Sequence, residues 1–178
     1  MTFINVVIVG AGPSGIGIAS LFSRTDIDYI VLEKGNVGSS FLGWSENMKM
    51  ITPSFPSNAF GQMDLNSIAA LTSPAFTFKK EHLSGKEYAK YLSKVEILNK
   101  IEIETNTEVK HVKKADNGWM IETNKGTLIC KYLIWAAGEF QNPKITGITG
   151  MEHCIHSSAI KEPHNLDGDD FIIIGGYE

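Results

Sequence analysis

The sequence contains little arginine and little cysteine. Its 178 residues include 16 lysines and arginines against 20 aspartates and glutamates, for a net charge of −4, and Arg24 is the single arginine. The lysines are scattered, so the basic patch of a nucleic-acid-binding protein is missing. Cys130 and Cys154 stand far apart, which excludes a disulfide framework and a zinc-ligand spacing. We therefore expect no nucleic-acid partner and no metal site.

Long apolar runs are also missing. No stretch approaches the roughly 18 residues of a membrane-spanning helix, and residues 1–5 lack the basic region that begins a signal peptide. We therefore predict a cytoplasmic protein without a membrane partner. The hydrophobic fraction of 43% and the charged fraction of 20% are those of a globular chain. The length suits one domain together with part of another.

A β-α-β pattern fills the beginning of the chain. Residues 5–9 and 29–32 are apolar runs typical of buried strands, and the small and apolar residues 14–22 between them fit a helix packed on a sheet. Pro13 can open that helix at its first turn. The pattern predicts two parallel strands joined by a helix.

The turn before this helix carries Gly10, Gly12 and Gly15 in the spacing GxGxxG. In this motif the first glycine makes a tight turn, the second lets the backbone approach a pyrophosphate, and the third lets helix and strand pack closely. Glu33 ends the second strand, where an acidic residue binds a ribose hydroxyl. The alternative is an ordinary glycine-rich turn with Glu33 as a surface charge, which the strand–turn–helix context disfavours. The predicted cofactor-binding residues of this region are Gly10, Gly12, Pro13, Ser14, Gly15, Glu33 and Lys34.

The rest of the chain changes character twice. Residues 36–78 are rich in Gly, Ser, Pro and large apolar residues, which predicts a long functional segment without regular structure. Ser84 and Glu87 have the spacing of a capping box and predict a helix to about Glu96. Beyond the helix, short strands separated by turn sequences predict a three-stranded meander, a returning strand and a final strand. These strands are residues 109–114, 119–123, 127–130, 132–136 and 171–174.

This order of elements resembles the FAD domain of the two-dinucleotide-binding flavoproteins. Residues 132–138 resemble the second signature of that superfamily, a strand ending in Ala-Thr-Gly, with Ala137 in place of the threonine and Gly138 retained. A Rossmann protein that binds only NAD would instead continue with alternating strands and helices. The resemblance implies an α/β fold: a Rossmann-like FAD-binding domain with a parallel sheet, helices on its faces and an inserted three-stranded β-meander.

Within that superfamily the chain resembles the flavin-containing monooxygenases. Residues 38–41 resemble their Gly-Gly-x-Trp turn, residues 51–54 their Thr-Pro-Ser segment, and residues 139–143 their tail after Ala-Thr-Gly. The disulfide reductases of the superfamily carry a redox cysteine pair either after the first acidic ribose ligand or in the second nucleotide domain, and in this chain no cysteine follows Glu33 at the first of these places. The monooxygenase fingerprint Phe-x-Gly, three residues, then His retains only His156.

The resemblance implies FAD as the cofactor, NAD(P)H as the reductant and a small molecule as the substrate, and it leaves self-association into a homo-oligomer open. It implies no catalytic side chain that we can name, because the flavin carries the chemistry. Ser40, Phe41, Trp44 and residues 50–52, including Thr52, are expected to line the flavin pocket; the alternative is that the aromatic residues belong to the core. The backbone of Val109 is expected to contact the adenine, and Ala137 and Gly138 to pass beside the flavin.

The same resemblance divides the chain near residue 150. Residues 1–150 are expected to be the N-terminal segment of a discontinuous FAD-binding domain. Residues 151–178 are expected to be a linker and the first strand of a truncated NAD(P)-binding domain, because residues 172–176 look like a second strand–glycine motif with Tyr177 at its second-glycine position. The alternative function is a non-catalytic FAD- or nucleotide-binding fragment.

Overall fold

The structure, a computed structural model, describes residues 2–55, 64–139, 142 and 147–175. The chain begins with the predicted β-α-β unit, formed by β1 (Thr2–Val9), α1 (Pro13–Phe22) and β2 (Tyr29–Leu32). β1 and β2 run parallel, with Val9 opposite Leu32. β1 begins earlier than predicted because its first residues also pair with residues 128–130, which are distant in sequence.

Seven further elements follow. They are α2 (Ser39–Leu42), α3 (Pro74–Phe78), α4 (Gly85–Asn99), β3 (Ile103–Glu104), β4 (Val109–Ala115), β5 (Gly118–Thr123) and β6 (Gly126–Trp135). The segment predicted to lack regular structure thus contains two short helices, α2 and α3. The capping box of α4 is confirmed: the Ser84 hydroxyl accepts from the Glu87 N–H, and the Glu87 carboxylate accepts from the Ser84 N–H. α4 continues beyond the predicted end at Glu96.

The six strands form one mixed sheet in the order β3-β2-β1-β6-β5-β4, which confirms the Rossmann-like fold class. β6 runs parallel to β1 along most of its length and antiparallel to β5 in its first half. The prediction of two separate strands at 127–130 and 132–136 was wrong. Both parts pair with β1 in one register, Ile4 with Cys130 and Val6 with Tyr132, so the ladder continues without a break.

The two faces of the sheet have different covers. Alternate residues of a strand point to opposite faces, and Val6 and Ile8 of β1 pack in one buried cluster with α1 and α4. Val7 and Val9 pack in a second cluster with Ile121 of β5 and Cys130 of β6. Among the described elements, the helices therefore cover one face of the sheet, and residues of β5 and β6 contribute to the buried cluster on the other face.

Residues 147–175 contain three short 3-10 turns, Met151–His153, Ser157–Ala159 and Pro163–Asn165. The prediction of a strand at 171–174 was wrong: no described strand pairs with these residues, and Ile172 and Ile173 are 93% and 84% exposed. A strand requires a neighbour to accept its backbone hydrogen bonds. Tyr177 and residues 140–141 and 143 of the predicted motifs lie outside the described residues. None of the described helices is long and apolar enough to span a membrane.

Candidate functional site

Gly10 makes the tight turn after β1. Its φ of +105° lies in the region that favours glycine, and a Cβ atom there would lie 2.4 Å from the carbonyl oxygen of Ala136. The Gly10 N–H donates to the Leu32 carbonyl at 2.8 Å, and the Ala136 N–H donates to the Val9 carbonyl at 2.8 Å. The turn is therefore wedged between the ends of β2 and β6 and has no room for a side chain.

The other two glycines of the motif have opposite surroundings. A Cβ atom at Gly15 would lie 1.9 Å from the Gly10 carbonyl oxygen, so Gly15 allows α1 to pack on the turn. A Cβ atom at Gly12 would meet nothing within 4 Å. Gly12 thus stands at the open side of the turn, where a ligand can approach the backbone.

The N-terminus of α1 is suited to an anion. Gly12 is the N-cap and supplies no side chain, Pro13 occupies the first turn, and that turn contains no acidic residue. The first N–H groups of a helix have no partner within it, and they lie at the positive end of the helix dipole. The N–H groups of Ser14 and Gly15 are therefore available to a phosphate.

Glu33 ties this turn to the end of β2. The side chain is 8% exposed. Its Oε2 accepts from the Ala11 N–H and its Oε1 from the Gly35 N–H, both at 2.8 Å. The Ala11 carbonyl in turn accepts from the Gly38 N–H at 3.1 Å. An ionised carboxylate has about four acceptor positions, so Glu33 can hold the turn and still accept a hydrogen bond from a ligand hydroxyl. Lys34 beside it is exposed.

The segment before β4 lies against the same edge. The Thr107 N–H donates to the Glu33 carbonyl at 2.8 Å, and the Asn106 N–H donates to the Gly35 carbonyl at 3.2 Å. Val109 begins β4 and borders a groove of about 330 Å³ that Leu133 and Trp135 of β6 also line. The structure thus brings the Val109 segment next to the Glu33 region, although the two are far apart in sequence.

Ala137 and Gly138 follow β6 directly. The glycine turn, residues 10–15, contacts Ala136, so Ala137 and Gly138 lie at the same edge of the sheet as that turn. Gly138 is exposed and has a φ of +78°. The predicted second signature, residues 132–138, therefore ends beside the GxGxxG turn at one edge of the sheet.

The aromatic residues predicted to line the flavin pocket pack on α4. The Phe41 ring centroid lies 5.0 Å from that of Trp44 and 4.8 Å from that of Tyr88. A Cβ atom at Gly85 would lie 2.1 Å from the Phe41 carbonyl oxygen. Core packing thus accounts for one side of Phe41 and Trp44, whereas Ser40 and Thr52 are exposed. Their contact with a flavin stays a prediction.

A buried polar network beside these residues was not predicted. Asp64 is fully buried and accepts hydrogen bonds from the Asn66 N–H, the Ser73 hydroxyl and the Ala75 N–H at 2.7, 2.8 and 3.0 Å. Tyr88 donates its hydroxyl to the Asn66 carbonyl, and burial raises its pKa. The Asp-x-Asn and Ser-Pro sequences indicate local turns and caps, but no local pattern indicates that they meet.

The cysteines and His156 do not join the site. Cys130 is buried in β6, where burial raises its pKa, and Cys154 is exposed in the C-terminal segment. His156 accepts from the Ser158 N–H at 3.1 Å and so caps a 3-10 turn. Among the hydrogen bonds of the described residues, none joins Cys130, Cys154 or His156 to residues 10–15.

The sheet order and the glycine turn place the chain among the Rossmann-like α/β proteins. The model of one family within that class, described as pyridine nucleotide-disulphide oxidoreductase, matches residues 7–178. The chain belongs to that family, which is a family of oxidoreductases.

The similar proteins include reductases and oxygenases. An uncharacterized oxidoreductase CzcO of Bacillus velezensis is 29% identical over 178 residues, covering 97% of this chain and 48% of the relative. The bacilliredoxin reductase Bdr of Bacillus subtilis is 27% identical over 172 residues, with coverages of 97% and 50%. Senecionine N-oxygenase of Tyria jacobaeae is 28% identical over 193 residues, with coverages of 96% and 41%. The chain spans about half the length of the curated relatives it matches.

One solved structure illustrates the fold with ligands. The complex of OTEMO with FAD and NADP superposes with a TM-score of 0.61 at 20% identity, over 84% of this chain and 28% of that chain. The likeness supports the same Rossmann-like architecture.

Proposed function

We propose that this chain binds FAD and forms part of an NAD(P)H-dependent flavoprotein oxidoreductase of the monooxygenase type. The observation that carries the proposal is the open Gly12 between the tightly packed Gly10 and Gly15, with the Glu33 carboxylate on the same turn. The residues fit a dinucleotide because backbone donors and a hydroxyl acceptor lie at one sheet edge. The OTEMO complex, whose fold is similar, contains FAD and NADP.

Each residue then has a defined part in binding. The N–H groups of Ser14 and Gly15 would hold the pyrophosphate at the N-terminus of α1. Glu33 would accept from a ribose hydroxyl, and the backbone of Val109 would contact the adenine. When bound, the flavin would supply hydride acceptance from NAD(P)H and electron transfer to an acceptor. Ser40, Phe41, Trp44, Thr52, Ala137 and Gly138 would border its ring system and limit the access of water.

The cysteines of this chain favour the monooxygenase type over the disulfide reductases that carry their cysteine pair after the first acidic ribose ligand. Neither Cys130 nor Cys154 adjoins the glycine turn, and the burial of Cys130 raises its thiol pKa and so disfavours the reactive thiolate. The exposed Ser40 and Thr52 instead belong to the two segments that resemble the monooxygenases. Small-molecule oxygenation is accordingly the proposed reaction, with a non-catalytic FAD-binding module as the alternative.

Substitution of Gly12 tests the binding site. Gly12→Ala adds a methyl group in open space, so the free energy of unfolding should stay within about 0.5 kcal/mol of the original. The methyl group would point at the approaching pyrophosphate, so FAD affinity should fall about tenfold or more. Leu21→Ala, an exposed position on the same helix, serves as the control. Equal FAD affinity in Gly12→Ala and the original chain would refute this placement.

Two further measurements address the adenine and the reaction. Val109→Ile should bind FAD normally, whereas Val109→Pro should not, because only the backbone is proposed to contact the adenine.

Bleaching of the bound-flavin absorbance by NADH or NADPH would support reductase chemistry. Transfer of an oxygen atom from O2 to an added small molecule would support the monooxygenase type, since hydrogen peroxide formation alone is common to reduced flavins. Bound flavin that neither nucleotide reduces would support the non-catalytic module.

A further inference from the structure

Asn66 holds the chain at residues 52–54 from the inside. Its side-chain Nδ2 donates to the Thr52 carbonyl and to the Ser54 hydroxyl, both at 2.8 Å. Asn66 is 7% exposed and Ser54 1% exposed, whereas Thr52 is exposed. The carboxamide therefore anchors the buried side of this segment while Thr52 remains at the surface.

Asn66 is itself held by two helices. Its N–H donates to Asp64, the buried carboxylate that also accepts from Ser73 and Ala75 at the start of α3. Its carbonyl accepts from the hydroxyl of Tyr88 in α4 at 3.0 Å. Because a buried polar group without its partner is costly, such a network favours one arrangement of its members.

The network is also positioned relative to the glycine turn. The carbonyl oxygen of Ile68 lies 3.2 Å from the place of a Cβ atom at Gly17, on the helix α1 that begins at that turn. The Ile68 N–H donates to the Tyr91 hydroxyl at 3.0 Å, which joins the same loop to α4. The Ser54 N–H donates to the Glu81 carbonyl at 2.7 Å and continues the attachment toward the start of α4. The position of Thr52 thus depends on protein contacts that exist without a ligand.

We propose that Asn66 is a positioning residue that fixes Thr52 against the ring system of the flavin without touching the cofactor itself. The inference rests on the proposed function, since it requires that FAD is the ligand. The two halves of FAD would then be bound by different parts of the chain. The glycine turn and Glu33 would bind the ADP half, and the two hydrogen bonds of the Asn66 side chain would fix the part of the pocket that binds the flavin half.

The test compares FAD with ADP as ligands of the same variant. Asn66→Leu keeps the branched shape of the side chain and removes both donors. FAD affinity should fall about tenfold, while ADP affinity should change by less than about twofold, because the described hydrogen bonds of Asn66 go to Thr52, Ser54, Asp64 and Tyr88 and none goes to the glycine turn or Glu33. The visible absorbance spectrum of bound FAD should also shift, since the surroundings of the ring change.

Ser73→Ala is the matched control. It removes a different hydrogen bond of the same buried network, from the Ser73 hydroxyl to Asp64, together with the N-cap of α3, and leaves both contacts of the Asn66 amide in place. It should lower the melting temperature as Asn66→Leu does but leave the ratio of FAD to ADP affinity unchanged. Calorimetric titration of each folded variant with both ligands measures that ratio.

The outcomes separate the two proposals. If the original chain binds FAD no more tightly than ADP, or binds neither ligand, the proposed FAD site is wrong and this inference fails with it. An original chain that prefers FAD, together with equal losses of FAD and ADP affinity in Asn66→Leu, overturns the positioning role alone. A changed FAD to ADP ratio in Ser73→Ala as large as that in Asn66→Leu would equally show that general loosening, and not the amide clamp, is responsible.

Discussion

Two apolar runs of this chain are each followed by a glycine, and one run is buried whereas the other is exposed. Residues 6–9 of β1 are 0–7% exposed, whereas residues 171–174 are 55–93% exposed. Both runs consist of β-branched or large apolar residues. β1 has β2 on one side, β6 on the other and a cover on each face, while the second run pairs with no described strand. Burial therefore follows from the partners and not from the composition.

The glycines that follow the two runs differ in the same way. Gly10 and Gly175 both have positive φ, +105° and +90°. At Gly10 an added Cβ atom would lie 2.4 Å from a backbone oxygen, whereas at Gly175 it would meet nothing within 4 Å. In this chain the strand–glycine sequence forms a tightly packed turn at Gly10, where the ends of two neighbouring strands surround it, and not at Gly175.

Truncating one isoleucine in each run gives the largest expected contrast. Ile8→Ala should lower the free energy of unfolding by about 2–5 kcal/mol, because Ile8 is fully buried between the sheet and the helices. Ile173→Ala should change it by less than about 0.5 kcal/mol, because Ile173 is 84% exposed. Urea unfolding of both variants measures the difference. A large loss for Ile173→Ala would show that residues 171–174 have a packing partner.

The stability costs of substituting Gly10 and Gly175 should differ less than those of substituting Ile8 and Ile173. Gly10→Ala should cost about 2–4 kcal/mol from backbone strain and the overlap with Ala136. Gly175→Ala should cost about 1–2 kcal/mol, because its φ is strained but its surroundings are open. Unfolding curves again give the values. Similar costs at both positions would mean that conformation outweighs packing in the glycine turn.

Glu33 is expected to stabilise the turn even without a nucleotide. Glu33→Ala should lower the free energy of unfolding by about 1.5–3 kcal/mol, because the Ala11 and Gly35 N–H groups lose a charged acceptor. FAD binding should weaken by a similar amount, since the ribose contact is lost too. Glu104→Ala, an exposed position at the end of β3, is the control for both measurements. Unchanged FAD affinity would remove Glu33 from the ligand site.

The capping box of α4 should contribute less than Ile8, Gly10 or Glu33. The hydrogen bonds from Lys80 and the Ser84 N–H lower the pKa of Glu87 below its usual value. A lowered pKa means stability that is present above the unfolded-state pKa and is lost as the pH falls through the folded-state value. Glu87→Gln should therefore remove about 0.5–1 kcal/mol at neutral pH and progressively less below about pH 4. A difference between the two proteins that does not shrink with acid would contradict the role of the charge.

Local patterns predicted the local structure well, and long-range structure less well. The glycine spacing, Pro13 and the Ser84–Glu87 box depend on neighbours within a few residues, and the structure contains the predicted turn and helix starts. The split of residues 127–136 into two strands was wrong because only pairing with β1 shows that the strand is continuous. The strand at 171–174 was wrong for the complementary reason, that composition without a partner makes no strand.

Local sequence was enough to predict that a strand, a glycine turn and a helix follow one another, and that an acidic residue ends the second strand. These features depend on side-chain size, backbone freedom and spacing, which short segments carry with them. The folded structure was needed to show that Glu33 bonds to Ala11, that Gly10 lies against Ala136, and that Asn66 anchors Thr52. Each of these contacts joins residues distant in sequence, and the packing of sheet, helices and meander sets their geometry.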